Sequence, residues 1–214
     1  MLSSIIALPV FAILASTAPS KSSQPKGQYI DANYDDITVV PAVPAANTLT
    51  TYRGLNYTGW AVNQVGVGGQ AELTGIAPES KPNNIVSGFG QTSLTGANAG
   101  WSVASSASTF DQLAFYYGCS VNTVEGAEGL PQQCIFDVKG YRKASDASYV
   151  AIKQFSFNPK ATQLVAQPVL ATFDSSFANL QRVEIVQLES TSGEEGNVLV
   201  FDDNIYELYA TQKW

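Results

Sequence analysis

The fold is indicated by the stretch Phe110-Asp111-Gln112-Leu113-Ala114-Phe115-Tyr116-Tyr117-Gly118-Cys119. Apolar and polar residues alternate along it, so Leu113, Phe115, Tyr117 and Cys119 would share one face of an extended chain. A period of two in a segment rich in aromatic residues is typical of a strand with one buried face. We therefore predict a β-strand here, with these four side chains in the core.

Runs of the same kind follow along the chain, and β-branched and aromatic residues dominate them. They are residues 135–138, 149–157, 183–186, 198–201 and 205–209. Gly, Pro, Asn and Ser separate the runs, and beyond the first residues no window of about 12 residues has a helical period. Many short strands between turns predict an all-β chain, and its length favours a two-sheet antiparallel jelly-roll β-sandwich.

The beginning of the chain predicts a secreted protein. Residues 1–15 are apolar and uncharged, and small residues follow, as in a signal peptide with its cleavage region. The apolar run is shorter than the roughly 20 residues of a membrane-spanning helix, although an uncleaved anchor is the alternative. We expect a signal peptide over 1–18, a flexible mature N-terminus over 19–27 and one sandwich domain over 28–214, located outside the cell or in its wall.

The composition excludes several classes of function. Only 14% of the residues are charged, the net charge is −7 and there is no basic cluster. We therefore expect neither nucleic acid nor, after signal cleavage, a membrane as partner. The chain has no histidine, which excludes Ser-His-Asp and Cys-His catalysis. It has no glycine-rich phosphate loop, so no organic cofactor is expected. Paired carboxylates could still hydrolyse a glycoside, but the sequence does not indicate which pair.

Cys119 and Cys134 are the two cysteines of the chain. In an oxidising compartment they are expected to form a disulfide, and closing a loop of about 15 residues stabilises a fold by roughly 3 kcal/mol. A metal site and a catalytic thiol are the alternatives, but both lack the histidine that would complete a His–Cys zinc site or a Cys–His dyad.

Two acidic doublets lie near the ends of the predicted domain. Asp35-Asp36 follow Tyr34, and Asp202-Asp203 follow Phe201. Acidic residues are uncommon in strands, so doublets beside apolar segments need a reason. Calcium takes oxygen ligands, commonly carboxylates, and the terminal strands of a sandwich can lie close together. The residues leave two interpretations open: a calcium site shared by the doublets, or two exposed turns.

Asn56-Tyr57-Thr58 is the only N-glycosylation sequon in the chain. If Leu55 and Tyr57 face the core, Asn56 and Thr58 face solvent, as an attached glycan requires. We expect Asn56 to carry an N-glycan, and an unused sequon is the alternative.

Four aromatic residues are candidates for a flat platform on which a sugar ring could stack. They are Trp60, Trp101, Tyr116 and Tyr141. The alternative is that these side chains pack in the core. The sequence names no other ligand-binding residue.

The order of several motifs resembles a known group of proteins. The doublet Asp35-Asp36 comes first, and Tyr-x-Gly-Leu-x-Tyr from Tyr52 and the segment 75–83 follow it. The stretch from Phe110 to the two cysteines comes next, and Asp-Asn-Ile-Tyr from Asp203 comes last. Over about residues 34–209 this order resembles fungal secreted single-domain proteins of unassigned function. These are built as galactose-binding-like or carbohydrate-binding-module-like jelly-roll β-sandwiches.

The resemblance implies a two-sheet sandwich with Cys119 and Cys134 bridged, and one structural calcium ion held by Asp35 and Asp203. It supplies no catalytic residue and no ligand. We therefore expect a secreted, non-catalytic binding module, with a glycan or cell-wall polysaccharide as the first candidate ligand. A structural, interaction or effector protein that binds another protein is the alternative. A carboxylate-based glycoside hydrolase or lyase is less favoured.

Overall fold

The computed structural model describes residues 26–40, 47–64, 75–88, 98–121, 129–190 and 197–210. The expected signal peptide, and all but the last two residues of the expected flexible N-terminus, lie outside these ranges. Among the described residues, no helix is long and apolar enough to cross a membrane.

The described residues form twelve strands and one short 3-10 helix, Ser175–Phe177. The strands are β1 (Gln28–Ala32), β2 (Thr51–Tyr52), β3 (Leu55–Thr58), β4 (Ala61–Gln64), β5 (Asn83–Ser87), β6 (Ala99–Val103), β7 (Thr109–Val121), β8 (Cys134–Tyr141), β9 (Ala151–Phe157), β10 (Val169–Thr172), β11 (Arg182–Ser190) and β12 (Asn197–Tyr209). The first sheet has the order β10-β7-β12-β5-β4, with β1 also paired to β12. The second sheet has the order β2-β3-β6-β11-β8-β9. All strand pairs are antiparallel, which confirms the predicted all-β sandwich.

The chain passes repeatedly from one sheet to the other between β5 and β12, as in a jelly roll. A disulfide joins Cys119 on β7 to Cys134 on β8. Because β7 belongs to the first sheet and β8 to the second, the bond ties the two sheets together. The predicted disulfide is therefore present in the structure.

The core between the sheets is rich in aromatic rings. Trp60 and Trp101 are fully buried, and Phe115 stacks on Phe201 with ring centroids 4.4 Å apart. Burying one such side chain contributes about 1.5–3 kcal/mol, and aromatic pairs add about 0.5–1.5 kcal/mol. This packing holds the sheets in one arrangement, so the side chains on their outer faces have defined positions.

The alternation predicted for β7 is correct for Phe115, Tyr117 and Cys119, which are buried, and wrong for Leu113, which is half-buried. Gln112 takes the inward position instead. The reason lies in the pairing with β12, where Ile205 and Tyr206 are consecutive but pair with Ala114 and Gln112. Leu113 is thus an extra residue on β7, and such a bulge shifts which side chains face the core.

The core tolerates the inward side chain of Gln112 because its amide group is hydrogen-bonded. Its Oε1 accepts from the Trp101 indole at 3.1 Å, and its Nε2 donates to Asn204 Oδ1 at 2.8 Å. A buried amide without partners would cost about 1–3 kcal/mol. The polar pattern of the sequence does not show this network, which exists only once β6, β7 and β12 are packed.

Candidate functional site

A groove with a volume of about 340 Å³ lies on the outer face of the second sheet. It crosses β3, β6 and β11, and we call it the sheet groove. The side chains and backbone that define it are those of Thr58, Asn98, Gly100, Ser102, Arg182 and Glu184. Because they belong to, or directly precede, strands that are hydrogen-bonded to their neighbours, the groove is built on a rigid surface.

Gly100 forms the floor of the sheet groove. It is paired with Thr58 on one side and with Glu184 on the other. A Cβ atom at this position would lie 2.3 Å from the carbonyl oxygen of Val183, so the close approach of the β11 backbone requires glycine. An outward position without a side chain leaves a depression between the side chains on either side.

The carboxylate of Glu184 is held in place by three neighbours. Its Oε2 accepts from the Tyr141 hydroxyl at 2.6 Å and lies 3.5 Å from Arg182 Nη1, and its Oε1 accepts from Asn98 Nδ2. Burial acts to raise the pKa of Glu184, but the bonds from Asn98 and Tyr141 and the charge of Arg182 outweigh it and lower the pKa. Glu184 is therefore ionised and oriented at neutral pH.

Arg182 is fixed as well. Its guanidinium lies over the Tyr141 ring, 3.6 Å from the centroid, and its Nη2 donates to the carbonyl oxygen of Asp146 at 2.7 Å. Burial and the bond to Glu184 raise the pKa of Tyr141 to about 12, so its hydroxyl stays a donor. Arg182 and Glu184 thus form one preorganised wall of the groove, and Tyr141 holds both in place.

The opposite wall carries hydroxyl groups. Thr58 is exposed and Ser102 is half-buried. For the part of the chain that the structure describes, neither hydroxyl has a hydrogen-bond partner. A hydroxyl can donate one hydrogen bond and accept two, so this wall offers both kinds of group to a ligand.

A second polar region lies on the first sheet, where β12 passes from its pairing with β5 to its pairing with β1, and we call it the acidic edge. It consists of Asp31, Asp35, Glu79, Asp202 and Asp203. Asp202 is buried, and its carboxylate accepts from the backbone N–H groups of Glu79 at 2.8 Å, Ser80 at 3.1 Å and Asp203 at 2.9 Å. Burial and the neighbouring charge of Asp203 nevertheless raise the pKa of Asp202 to about 8.

The predicted metal residues Asp35 and Asp203 are brought to the same edge by the segment 79–83. Asp203 Oδ1 accepts from the Ser80 hydroxyl at 2.8 Å, and Asp35 Oδ1 accepts from the backbone N–H of Asn83 at 2.9 Å. Burial raises the pKa of Asp203, and the charges of Asp31, Glu79 and Asp35 raise it further against the bond from Ser80. The two doublets therefore meet, and the exposed-turn interpretation is wrong for Asp202, which is buried within β12.

The two residues of the first doublet, Asp35 and Asp36, have different surroundings. Asp36 forms a 2.7 Å ion pair with Arg53 and accepts from the Tyr52 hydroxyl at 2.6 Å, and it is exposed. Exposed ion pairs of this kind contribute little to stability. Asp36 therefore matches the exposed-turn interpretation, whereas Asp35 faces the acidic edge.

The acidic edge fits a calcium ion in the kind of donor it offers, because calcium takes carboxylate oxygens. It does not present a finished site: among the described residues, no three His, Cys, Asp or Glu side chains are placed to hold a metal ion together. Binding would require side chains such as Asp35 and Asp203 to turn from their present partners. The calcium ion at Asp35 and Asp203 stays a prediction.

The sequon lies as expected on β3, where Leu55 and Tyr57 are buried and Asn56 and Thr58 are exposed. Asn56 Oδ1 accepts from the Thr51 hydroxyl at 2.9 Å. An attached glycan has room at this position, and modification of Asn56 stays a prediction.

The aromatic platform is not formed. Trp60 and Trp101 lie in the core, and Tyr141 is almost fully buried beneath Arg182. Tyr116 lies near the acidic edge, where burial and the charge of Glu79 raise its pKa. The core has taken Trp60 and Trp101 because large apolar faces gain most from complete burial.

Most residues of the sheet groove were not predicted from the sequence, and Thr58 was placed on the solvent face only as part of the sequon. One signal was present: Glu184 lies in the run 183–186, where alternation places it opposite to Val183 and Ile185. Asn98, Gly100 and Ser102 carried no such signal, because β6 was not recognised as a strand.

No protein-family model and no curated protein sequence matches the chain. Solved structures similar in shape include the following three. The K1 cleaved adhesin domain of Lys-gingipain from Porphyromonas gingivalis W83 has 12% identity and a TM-score of 0.44, over 87% of this chain and 100% of that one. The xylan-binding CBM22-1 domain of Paenibacillus barcinonensis Xyn10C has 13% identity and a TM-score of 0.34, over 89% and 100%. An apo cyclase from Fischerella sp. has 11% identity and a TM-score of 0.31, over 92% and 93%. At this level, similarity assigns no ligand, activity or partner to the chain.

Proposed function

We propose that this chain is an extracellular binding module that holds a glycan or cell-wall polysaccharide in the sheet groove without catalysis. The observation that carries the proposal is the oriented carboxylate of Glu184 facing hydroxyl groups across a glycine floor. Such a set of fixed acceptors and donors on a rigid sheet matches the hydroxyl groups of a sugar, which donate and accept in turn.

The chemistry of recognition would be polar. Sugar hydroxyls would donate to Glu184, in charge-assisted bonds that are stronger than neutral ones. Ser102 and Thr58 would donate to or accept from the same sugar. The Tyr141 face is covered by Arg182, so stacking would contribute little there. Hydrogen bonding of this kind discriminates sugars by the positions of their hydroxyl groups.

The size of the groove supports a short part of a longer chain as ligand. Its volume of about 340 Å³ lies at the lower end of the range of small-molecule sites, about 300–1,000 Å³. The groove is open on the sheet face, so the remainder of a polysaccharide would extend over the neighbouring strands.

Binding without hydrolysis is supported by the acid groups present. Among the described residues lining the groove, Glu184 has the only carboxylate, whereas glycosidases use two that flank the bond, about 5–10 Å apart. The pKa of Glu184 is lowered, opposite to the raised value that a general acid needs. An extracellular location is supported by the disulfide between the sheets.

The test is a glycan array followed by titration of the best polysaccharide fragment against the purified chain. Glu184→Gln should weaken binding at least about tenfold, because a hydrogen bond to a charged group contributes about 1.5–3 kcal/mol. Asp137→Asn is the matched control, because Asp137 is an acidic residue on neighbouring β8 that does not line the groove. Equal binding by wild type and Glu184→Gln, or no binding to any glycan, would contradict the proposal.

One observation favours the alternative, binding of another protein. Strand β10 is the outermost strand of the first sheet, and it exposes Val169 at 44% and Leu170 at 47%, with Leu164 at 73% in the preceding loop. An edge strand with apolar side chains can pair with a strand of another chain. A protein partner lost in Leu170→Lys and retained in Glu184→Gln would favour this alternative over the groove.

A further inference from the structure

The predicted glycosylation site and the sheet groove share one strand face. Asn56 and Thr58 both point outward from β3. They are two residues apart, so they are separated by about 7 Å along the strand. Thr58 lines the groove, and it is also the hydroxyl residue of the sequon.

Asn56 is also next to the groove across the sheet. It is directly opposite Ser102 on β6, and side chains in such pairs have Cβ atoms about 4.5–5.5 Å apart. Ser102 lines the groove. The Thr51 hydroxyl binds Asn56 Oδ1, while, within the described ranges, Nδ2 has no recorded partner and is the atom to which a glycan would be joined.

We propose that an N-glycan on Asn56 lies over the sheet groove and competes with an external glycan for it. The groove offers the attached sugars the same acceptors and donors that it offers a soluble ligand, and the attached glycan is tethered beside it. Tethering raises its effective concentration to about the millimolar range. The chain would then bind external polysaccharide strongly only when Asn56 is unmodified or its glycan is trimmed. This inference rests on the proposed function.

The experiment compares four preparations in the same binding assay. These are wild type from a eukaryotic secretory host, the same protein after glycosidase trimming, Asn56→Gln from that host, and wild type from a bacterial periplasm, where no N-glycan is added. The last three should bind the best polysaccharide fragment equally. The first should bind about tenfold more weakly, as expected when the effective concentration of the attached glycan is about ten times its own dissociation constant for the groove.

The control moves the glycan elsewhere. Lys160→Asn creates a new sequon with Ala161 and Thr162 in an exposed turn after β9, which is three strands away from β6 in the same sheet. The double variant Asn56→Gln, Lys160→Asn carries a glycan of the same type far from the groove. It should bind like Asn56→Gln, and weak binding by this variant would show a general effect of glycosylation and overturn the inference.

A second measurement does not depend on an external ligand. The backbone amide resonances of Gly100 and Ser102 should differ between the glycosylated and trimmed proteins if the attached sugars lie on the groove. Unchanged resonances, equal binding by glycosylated and trimmed protein, or an unmodified Asn56 would each overturn the inference. Absence of binding in all preparations would instead overturn the proposed function.

Discussion

The sheet groove and the acidic edge contain carboxylates in opposite electrostatic situations. Glu184 has Arg182 and two hydrogen-bond donors beside it, and its pKa is lowered. Asp202 has three backbone donors beside it, but burial together with Asp203 raises its pKa to about 8. Burial acts to raise the pKa of both carboxylates, and the balance between burial and the neighbouring donors and charges decides whether folding favours the charged form.

The groove and the acidic edge also differ in the kind of ligand that their free groups could bind. In the groove the carboxylate of Glu184 faces the guanidinium of Arg182, and the hydroxyls of Thr58 and Ser102 could bind a neutral ligand. The acidic edge has an excess of negative charge, which a cation would neutralise.

Calcium is expected to have the largest effect on the stability of the fold. If the ion binds at Asp35 and Asp203, a concentration of about 100 times the dissociation constant stabilises the fold by about 2.7 kcal/mol, or about 5–10 °C in melting temperature for a chain of this size. Melting curves with calcium and with a chelator measure it. Asp203→Asn should abolish the shift and Glu184→Gln should preserve it. Identical wild-type curves in both buffers would contradict the calcium site.

The second effect is the pH dependence of stability in chelator. Between pH 4 and pH 8 the folded chain keeps a proton on Asp202, whose ordinary pKa is 3.8, and the unfolded chain does not. Stability from this group is therefore complete at low pH and is lost as the pH rises through about 8. One pKa unit corresponds to about 1.4 kcal/mol, so the melting temperature should fall by at least about 3–5 °C.

Asp203→Asn is the variant that tests the cause of this pH dependence. Burial is the main cause of the raised pKa of Asp202 and the charge of Asp203 adds to it, so removing that charge should reduce the slope of the curve between pH 4 and pH 8. Asparagine also tolerates the left-handed backbone of this position, with φ at 43°. A slope unchanged in the variant would show that the two carboxylates are not coupled.

The smallest expected effect on stability comes from Glu184 in the groove. Its dependence on pH has the opposite sign to that of Asp202. Because the pKa of Glu184 is lowered from 4.5, its contribution is present above that pH and is lost as the pH falls through the folded value. Glu184→Gln should lower the melting temperature at pH 7 by about 2–4 °C, for about 1 kcal/mol, and have little effect near pH 3. An equal loss at both pH values would mean that packing, rather than charge, is what Glu184 supplies.

The sequence predicted the fold best where strands are long and aromatic. The runs found by alternation lie in β7, β8, β9, β11 and β12, except that the run 149–157 begins two residues before β9. The runs 198–201 and 205–209 proved to be one strand interrupted by a bulge near Asp203. Strands β1 to β6 have two to five residues each and were not recognised. Their Asn, Gly and Ala residues have low strand propensity, and pairing with longer neighbours overrides that preference.

The sequence by itself determined the all-β class, the pairing of Cys119 with Cys134 and the outward position of Asn56. Each follows from local rules: alternation, the presence of two cysteines, and the buried residues on either side of the sequon. Only the tertiary structure decided which residues stand together. Gly100 meets Thr58 and Glu184 through the pairing of three strands distant in sequence, and the segment 79–83 joins the two doublets. Such contacts depend on sheet order and register, which arise from packing of the whole core rather than from any one segment.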